Sequence, residues 1–187
     1  MSKETKTPVR PGRVPSASRA QIVDCVLKML KRDGVDALTF RAVQRETGLT
    51  GGALSRYFKN LADLEDEAAA SVMAGLSPLK GGKATLRQQL VKLGMEMFEI
   101  HRAHPYLVRA RGPATAAIIG KHTRECINVM LEAGLDFESA VAAYGLVGHL
   151  AYSWGAQESI QADDQTIVAA TTAYLQGIGD LPPPMAK

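Results

Sequence analysis

Twenty residues, Thr39 to Phe58 (TFRAVQRETGLTGGALSRYF), restrict what this chain can fold into more than any other stretch. Thr39 is a good helix N-cap, and Gly48 can close that helix in the left-handed conformation that a Cβ disfavours. Thr50 then caps a second short helix, Gly51 to about Tyr57. Two short helices joined by a three- to four-residue turn keep a fixed angle only across an apolar junction. Val43, Leu49, Leu54 and Phe58, supported by Leu38, supply one. This is the pattern of a helix-turn-helix, whose second helix presents its N-terminal end to base edges of duplex DNA. An ordinary helical corner with charged outer residues would read the same way over so short a window.

The residue types in the segment suit DNA. Thr39 and Thr50 place hydroxyls and free backbone N–H groups at helix N-termini, an arrangement that accepts phosphate. Arg41, Arg56, Tyr57 and Lys59 are available for backbone or groove contacts, with Ser55 among them. Gly51, Gly52 and Ala53 allow close backbone approach and methyl contacts, and Arg56 is the one obvious guanine reader. Charge is distributed to match. Residues 1–61 carry 12 Lys/Arg against 5 Asp/Glu, a balance of +7, whereas 62–187 carry 10 against 14, a balance of −4. A basic head on an acidic body is what a nucleic-acid-binding protein shows, although basic tails also arise for solubility.

The rest of the chain reads as helices. Residues 1–17 form a basic tail, expected to be disordered because Pro8, Pro11, Pro15 and Gly12 forbid a helix. Ser18 caps a first helix to about Asp33, closed by Gly34, with Ile22, Val23, Val26, Leu27 and Leu30 on one stripe. Lys28, Lys31 and Arg32 lie off it, toward solvent or phosphate. Asn60 caps a helix from Leu61 to about Gly75, with Asp63, Glu65 and Asp66 near its N-terminus, where the dipole favours acids. After the GLSPLKGG loop (75–82), helices are expected over Thr85–Ala103, Pro105 to about Arg111, Ala114–Ala133, Phe137 to about Ser159 with Asp136 as cap, and from Asp164 to about Gln176. No strand alternation or internal repeat appears. With 46% hydrophobic and only 5% aromatic residues, the expectation is an all-α fold of about nine helices.

The first helix ending in Gly34, then LTFRAVQRETGLTGGALSRYF and a helix beginning NLADL, resembles the N-terminal domain of the tetracycline-repressor (TetR) family of bacterial transcription regulators. The likeness spans about residues 18–67. The chain departs from the family pattern at Gln44, where Ala is usual; at Ser55, in place of a Tyr that often contacts phosphate; and at Leu61, in place of a Lys. Lys59 lies two residues before that last position. These departures bear on phosphate affinity rather than on fold. The second half, HRAHPYLVRARGP followed by EAGLDFESAVAAYGLVGHLAYSWGAQES, is similar to the C-terminal domain of the tetracycline-repressor branch itself.

The resemblance implies a helix-turn-helix DNA-binding domain over 18–62 and a ligand-binding and dimerisation domain over 63–180. It further implies a cytoplasmic homodimer whose partners are a double-stranded DNA operator and a small-molecule effector, with repression relieved by the effector. In the family, two long helices of each subunit form a four-helix bundle. Ala140, Ala143, Val147 and Ala151 make a small-residue surface suited to that, or to packing within one subunit. A family cavity among the later helices would here draw on Met73, Met95, Met97, Phe98, Cys126 and Met130 as lining, with Gln89, His104, Arg111, Tyr144 and Gln157 as polar anchors. The methionines could equally be plain core. Gln157 stands where the family's magnesium–tetracycline site expects a carboxylate, so tetracycline is not the expected ligand.

Other chemistries find no motif. A metal needs three or four convergent ligands, and His101 and His104 make only a pair, with His122 and His149 elsewhere. Neither metal nor cofactor is expected. Ser/His/Asp order, GxSxG, a phosphate loop and CxxC are all missing, so no enzyme is expected. No apolar run approaches the roughly 20 residues that span a bilayer, and Cys25 and Cys126 read as small buried hydrophobes. The alternative to a regulator is a helical small-molecule or protein-binding module of the same fold that reads DNA weakly or not at all.

Overall fold

A computed structural model describes residues 17–82, 84–109 and 112–155, together with 165 and 169. Among the described residues the chain is all-α, as the sequence predicts. Its helices are α1 (Arg19–Asp33), α2 (Phe40–Thr47), α3 (Gly51–Leu54), α4 (Leu61–Met73), α5 (Leu86–Ala103), α6 (Pro113–Glu132) and α7 (Phe137–Gly155), with a 3-10 turn at Pro105–Arg109 between α5 and α6. The helix expected after Asp164 and the tail over 1–16 lie outside the described residues.

Side-chain caps set most of the starts. Ser18 and Gln21 form a capping box on α1, and Thr85 and Gln88 form another on α5. Thr39 accepts from the Ala42 N–H at 3.0 Å, Thr50 from Ala53 at 3.2 Å, and Asn60 from Asp63 at 2.8 Å. Each such cap contributes about 1 kcal/mol. Gly48 closes α2 at φ +69°, a backbone that L side chains rarely adopt. Several bounds differ from expectation, three of them with a clear local cause. The third helix ends at Leu54, not near Tyr57, because the chain tightens to i→i+3 bonds from Arg56 to the Ala53 carbonyl and from Tyr57 to Leu54. α4 ends at Met73 for the same reason, with Gly75 bonded to Val72 and Leu76 to Met73. α6 starts one residue early, with Pro113 in its first turn, where the missing N–H costs nothing.

One continuous apolar core runs from α1 to α7. At the head, Ile22, Val26, Val43, Leu54, Phe58 and Leu64 are fully buried, which fixes α1, α2 and α3 against the start of α4. In the body, α7 packs most extensively on α5. Leu90, Leu93 and Phe98 of α5 are buried there, as are Ala140, Ala143, Val147 and Ala151 of α7. Phe137 and Val141, in the first two turns of α7, remain 65% and 46% exposed.

α4 joins the head to the body through two successive carboxylates. Glu67 pairs with Arg19 of α1 at 2.7 Å; Arg19 also donates to the Tyr57 carbonyl and stacks 4.4 Å over the Phe58 ring. Asp66, 5% exposed, turns the other way and caps α6 from outside that helix. It accepts from the backbone N–H of Ala114 at 2.8 Å and of Thr115 at 3.1 Å, while the Thr115 hydroxyl donates to the Asp66 carbonyl at 3.1 Å. Burial alone would raise the Asp66 carboxyl, but the hydrogen bonds from Thr115, Ala114 and Gly112 outweigh it and hold the group below the ordinary range. The approach is so close that a Cβ on Gly112 would stand 2.3 Å from the Asp66 carboxyl carbon.

This clamp has measurable consequences. Asp66→Asn sets an NH2 against a backbone N–H and removes the charge, so urea unfolding at pH 7 should show a loss of about 1–3 kcal/mol. A depressed folded-state carboxyl stabilises above its unfolded value near ~4 and loses that contribution as pH falls through the folded one. The gap between wild type and Asp66→Asn should therefore narrow as the pH drops below about 4; a gap independent of pH would show that the charge is not what stabilises. Gly112→Ala should be at least as damaging, because its new methyl must displace the carboxylate and not merely weaken it.

Candidate nucleic-acid interface and internal cavity

The residues expected to meet DNA all lie on α2, on α3 or on the turn that joins α3 to α4. Thr39, Arg41, Thr50, Gly52, Ser55, Arg56 and Lys59 are exposed. Gly51, Ala53 and Tyr57 are half-buried, and Ala53 and Tyr57 pack against the core. The backbone N–H of Lys59 is bonded to Asp63 at 3.1 Å, so the turn that carries its side chain is anchored on α4. Of the basic residues on α1, Lys28 pairs with Asp24 at 2.7 Å, and Arg32 with Asp33 at 2.8 Å and Glu46 at 3.0 Å. Lys28 and Arg32 are thus engaged within the head, Arg32 tying α1 to α2.

Gln44, one of the departures from the family pattern, has a structural counterpart. Its side chain lies over Gly51, where an added Cβ would come within 3.1 Å of Nε2. A longer residue on α2 is accommodated because the first residue of α3 has no side chain. Ser55 and Leu61 have no comparable compensation: Ser55 is exposed, and Leu61 packs partly against the core.

The expected pocket residues separate into several places. A cavity of about 200 Å³ opens between the body helices. Met73 and Leu76 close it from the end of α4, and Met97 and His101 from α5. Ile118, Ile119 and His122 of α6 and Tyr144, Gly148 and Tyr152 of α7 complete it. Of the residues expected in a pocket, Met73, Met97 and Tyr144 are here. Gln89 is not: it accepts from the Lys80 N–H at 2.9 Å and donates to the Ala84 carbonyl at 3.2 Å, so its amide ties down the loop before α5. His104 ends α5 beside Tyr106, their rings 5.6 Å apart, and its basicity is lowered by burial and then by Lys31 of α1. Cys126 and Met130 are fully buried. Cys126 receives the Leu79 N–H at 3.5 Å, and burial raises its thiol. Arg111 and Gln157 lie outside the described residues.

Sequence reading missed most of the polar groups in the cavity. His101 Nδ1 lies 2.7 Å from the Met97 carbonyl oxygen, and its ring stands edge-on to Tyr152 at 5.5 Å. Desolvation depresses its basicity. His122 Nδ1 is 2.9 Å from the Tyr144 hydroxyl. A signal for this pair was present: His122 lies between apolar residues of an amphipathic helix, at a position bound to face inward. Among the described residues, no group of three His, Cys, Asp or Glu converges as a metal site, and no helix is long and apolar enough to cross a membrane.

The small residues expected at a subunit interface also have a definite place. Ala140, Ala143, Val147 and Ala151 are 0–3% exposed in the single chain, which puts them on the inward face of α7. The exposed large apolar residues of α7 are Phe137 and Val141, in its first two turns.

Neither a protein-family model nor a curated protein sequence matches this chain. Solved structures do. TetR-Q116A from Acinetobacter baumannii AYE, in complex with minocycline, superposes with a TM-score of 0.73 at 18% identity, over 87% of this chain and 96% of that one. ActR of Streptomyces coelicolor, a TetR family protein in complex with (S)-DNPA, gives 0.65 at 18% identity over 86% and 88%. BioQ with its double-stranded DNA operator gives 0.62 at 17% identity over 84% and 99%. The likeness extends over at least 84% of this chain and 88% of each of the three, and the chain has the fold of the TetR family.

Proposed function

We propose that this chain is a dimeric, ligand-responsive DNA-binding regulator, a repressor released from its operator by a small molecule. The observation that supports it best is the exposed set Thr39, Arg41, Thr50, Ser55, Arg56 and Lys59 on a helix-turn-helix built into this fold. Residues 18–62 act as the DNA head and 63–180 as the regulatory body. The N-termini of α2 and α3 and the side chains of Arg41 and Lys59 hold phosphates, and Arg56 reads a base edge. The effector occupies the cavity between α4, α5, α6 and α7. It binds more tightly to a state with separated heads and so lowers operator affinity by linkage, a coupling that in general amounts to about 5–150-fold. The dimer supplies two heads to a palindromic site, and the exposed Phe137 and Val141 of α7 contribute to its interface.

A gel shift with the promoter beside the protein's own gene, repeated across a salt series, tests the reading. Binding to that promoter should exceed binding to bulk DNA at moderate salt. No preference there would leave a helical binding module that reads no sequence. Within a specific complex, Arg56→Ala should relax base preference at one position per half-site, costing about 1–3 kcal/mol. Lys59→Ala should weaken all duplexes about equally and reduce the salt slope by about 1. Equal loss across sequences for both variants would refute the division of roles.

The dimer is tested separately. Sedimentation should show the double change Phe137→Asp, Val141→Asp shifting the protein to monomer with helix content unchanged. An unaltered dimer would move the interface elsewhere.

A further inference from the structure

We propose that the cavity between α4, α5, α6 and α7 takes a neutral, single-ring aromatic molecule bearing one hydroxyl donor, a phenol in chemical class. The proposal rests on the reading of this cavity as the effector site. Size sets the first limit. At about 200 Å³ the space is little larger than the roughly 150 Å³ apolar cavity that accepts benzene. One six-membered ring with a short substituent fits, and a fused polycycle does not.

Charge sets the second limit. Among the described residues that line it, none is Lys, Arg, Asp or Glu. A carboxylate or ammonium entering here would lose its hydration with no opposite charge to replace it. The walls favour a ring over a plain alkyl chain: the thioethers of Met73 and Met97 and the edge-to-face pair of His101 and Tyr152 all suit contact with a π face or edge.

Hydrogen bonding sets the third. A histidine nitrogen 2.7 Å from a carbonyl oxygen must carry the proton, so His101 Nδ1 is the N–H and Nε2 is the acceptor in the neutral ring. That ring is kept neutral by its burial. No protein donor to Nε2 is found among the described residues, so this nitrogen is free to accept from a ligand hydroxyl in place of water. The His122–Tyr144 pair, 2.9 Å apart, can reverse the direction of its own hydrogen bond and serves as a second, adaptable contact for the hydroxyl oxygen. A ligand that only accepts would displace that water from Nε2 and give no donor in return.

Isothermal titration of the full chain with three probes of one shape tests the assignment: 4-ethylphenol, ethylbenzene and 4-ethylbenzoate. The phenol should bind about tenfold more tightly than ethylbenzene, the effect of one net hydrogen bond, and the benzoate should give no measurable heat. His101→Leu should bring the phenol down to the level of ethylbenzene. A Cβ at Gly148 would stand 4.0 Å from the Met97 sulfur, so Gly148→Leu should fill the space and abolish binding of both neutral probes. The three-probe comparison on the unaltered chain decides the class even where a variant unfolds. Equal affinity for phenol and ethylbenzene, tighter binding of the benzoate, or no binding of either neutral probe would overturn it. Operator binding, measured by gel shift without any probe, keeps the two readings apart. Phenol binding by a chain with no operator preference would retain this assignment and remove the regulator. Operator binding by a chain that ignores all three probes would do the reverse.

Discussion

Asp66 and Glu67 are neighbours on α4, and successive side chains on a helix point about 100° apart. One carboxylate therefore grips the head through Arg19 while the other grips the body through the N-terminus of α6. Among the described residues, no cation is hydrogen-bonded to the buried Asp66 carboxylate. The aligned N–H groups of α6 and the dipole behind them supply the compensation, as they do for anions at helix N-termini generally. Such a contact cannot be loosened gradually. Withdrawing the N–H donors leaves a buried carboxylate unsatisfied, so α4 and the start of α6 behave as one piece. The cavity lies farther along the same two helices, at Met73 on α4 and at Ile118, Ile119 and His122 on α6. A body that must deform to admit a ligand has freedom there, below the clamp, and not at it.

The head is rigid for a related reason. Arg19 holds the Tyr57 carbonyl, covers Phe58 and pairs with Glu67, so a single side chain joins α1, the turn after α3, and α4. The Arg19–Glu67 pair is itself partly solvated, and ion pairs of that kind contribute little to stability alone. Its value is geometric: three elements meeting at one guanidinium cannot shift independently. A short recognition helix needs such support, because the four residues Gly51–Leu54 include two glycines and have poor intrinsic helix propensity.

How much of this was legible in the sequence depended on the range of each interaction. Ser18, Thr39, Thr50 and Asn60 are readable as caps because their partners lie three residues away, and Gly48 because a positive φ is a local demand. Asp66 was read only as an acid near a helix N-terminus, which is true of its position on α4. Its partners stand 48 and 49 residues later, on a different helix, and no local pattern marks them. The small residues of α7 show a different kind of ambiguity. Close helix approach requires them whether the neighbour is α5 of the same chain or a helix of another, so spacing alone could not choose. The pocket residues were chosen by type, and type does not distinguish an amide facing a cavity from one that, like Gln89, fastens a loop.

Under the proposed function, the exposed surface around α3 gives a further reason for two heads. One Arg in bidentate contact with guanine discriminates by about 1–3 kcal/mol, whereas a specific regulator typically separates its site from bulk DNA by about 4–10 kcal/mol. A single head built around Arg56, with Ser55 in place of a longer side chain, falls short of that range. Two heads on a palindrome double the direct term. Glycines at 51 and 52 add close backbone approach, through which duplex shape is sensed without long side chains. Under the proposed function, specificity in this chain depends on the spacing between heads more than on either head, and that spacing is what an effector in the body is proposed to change.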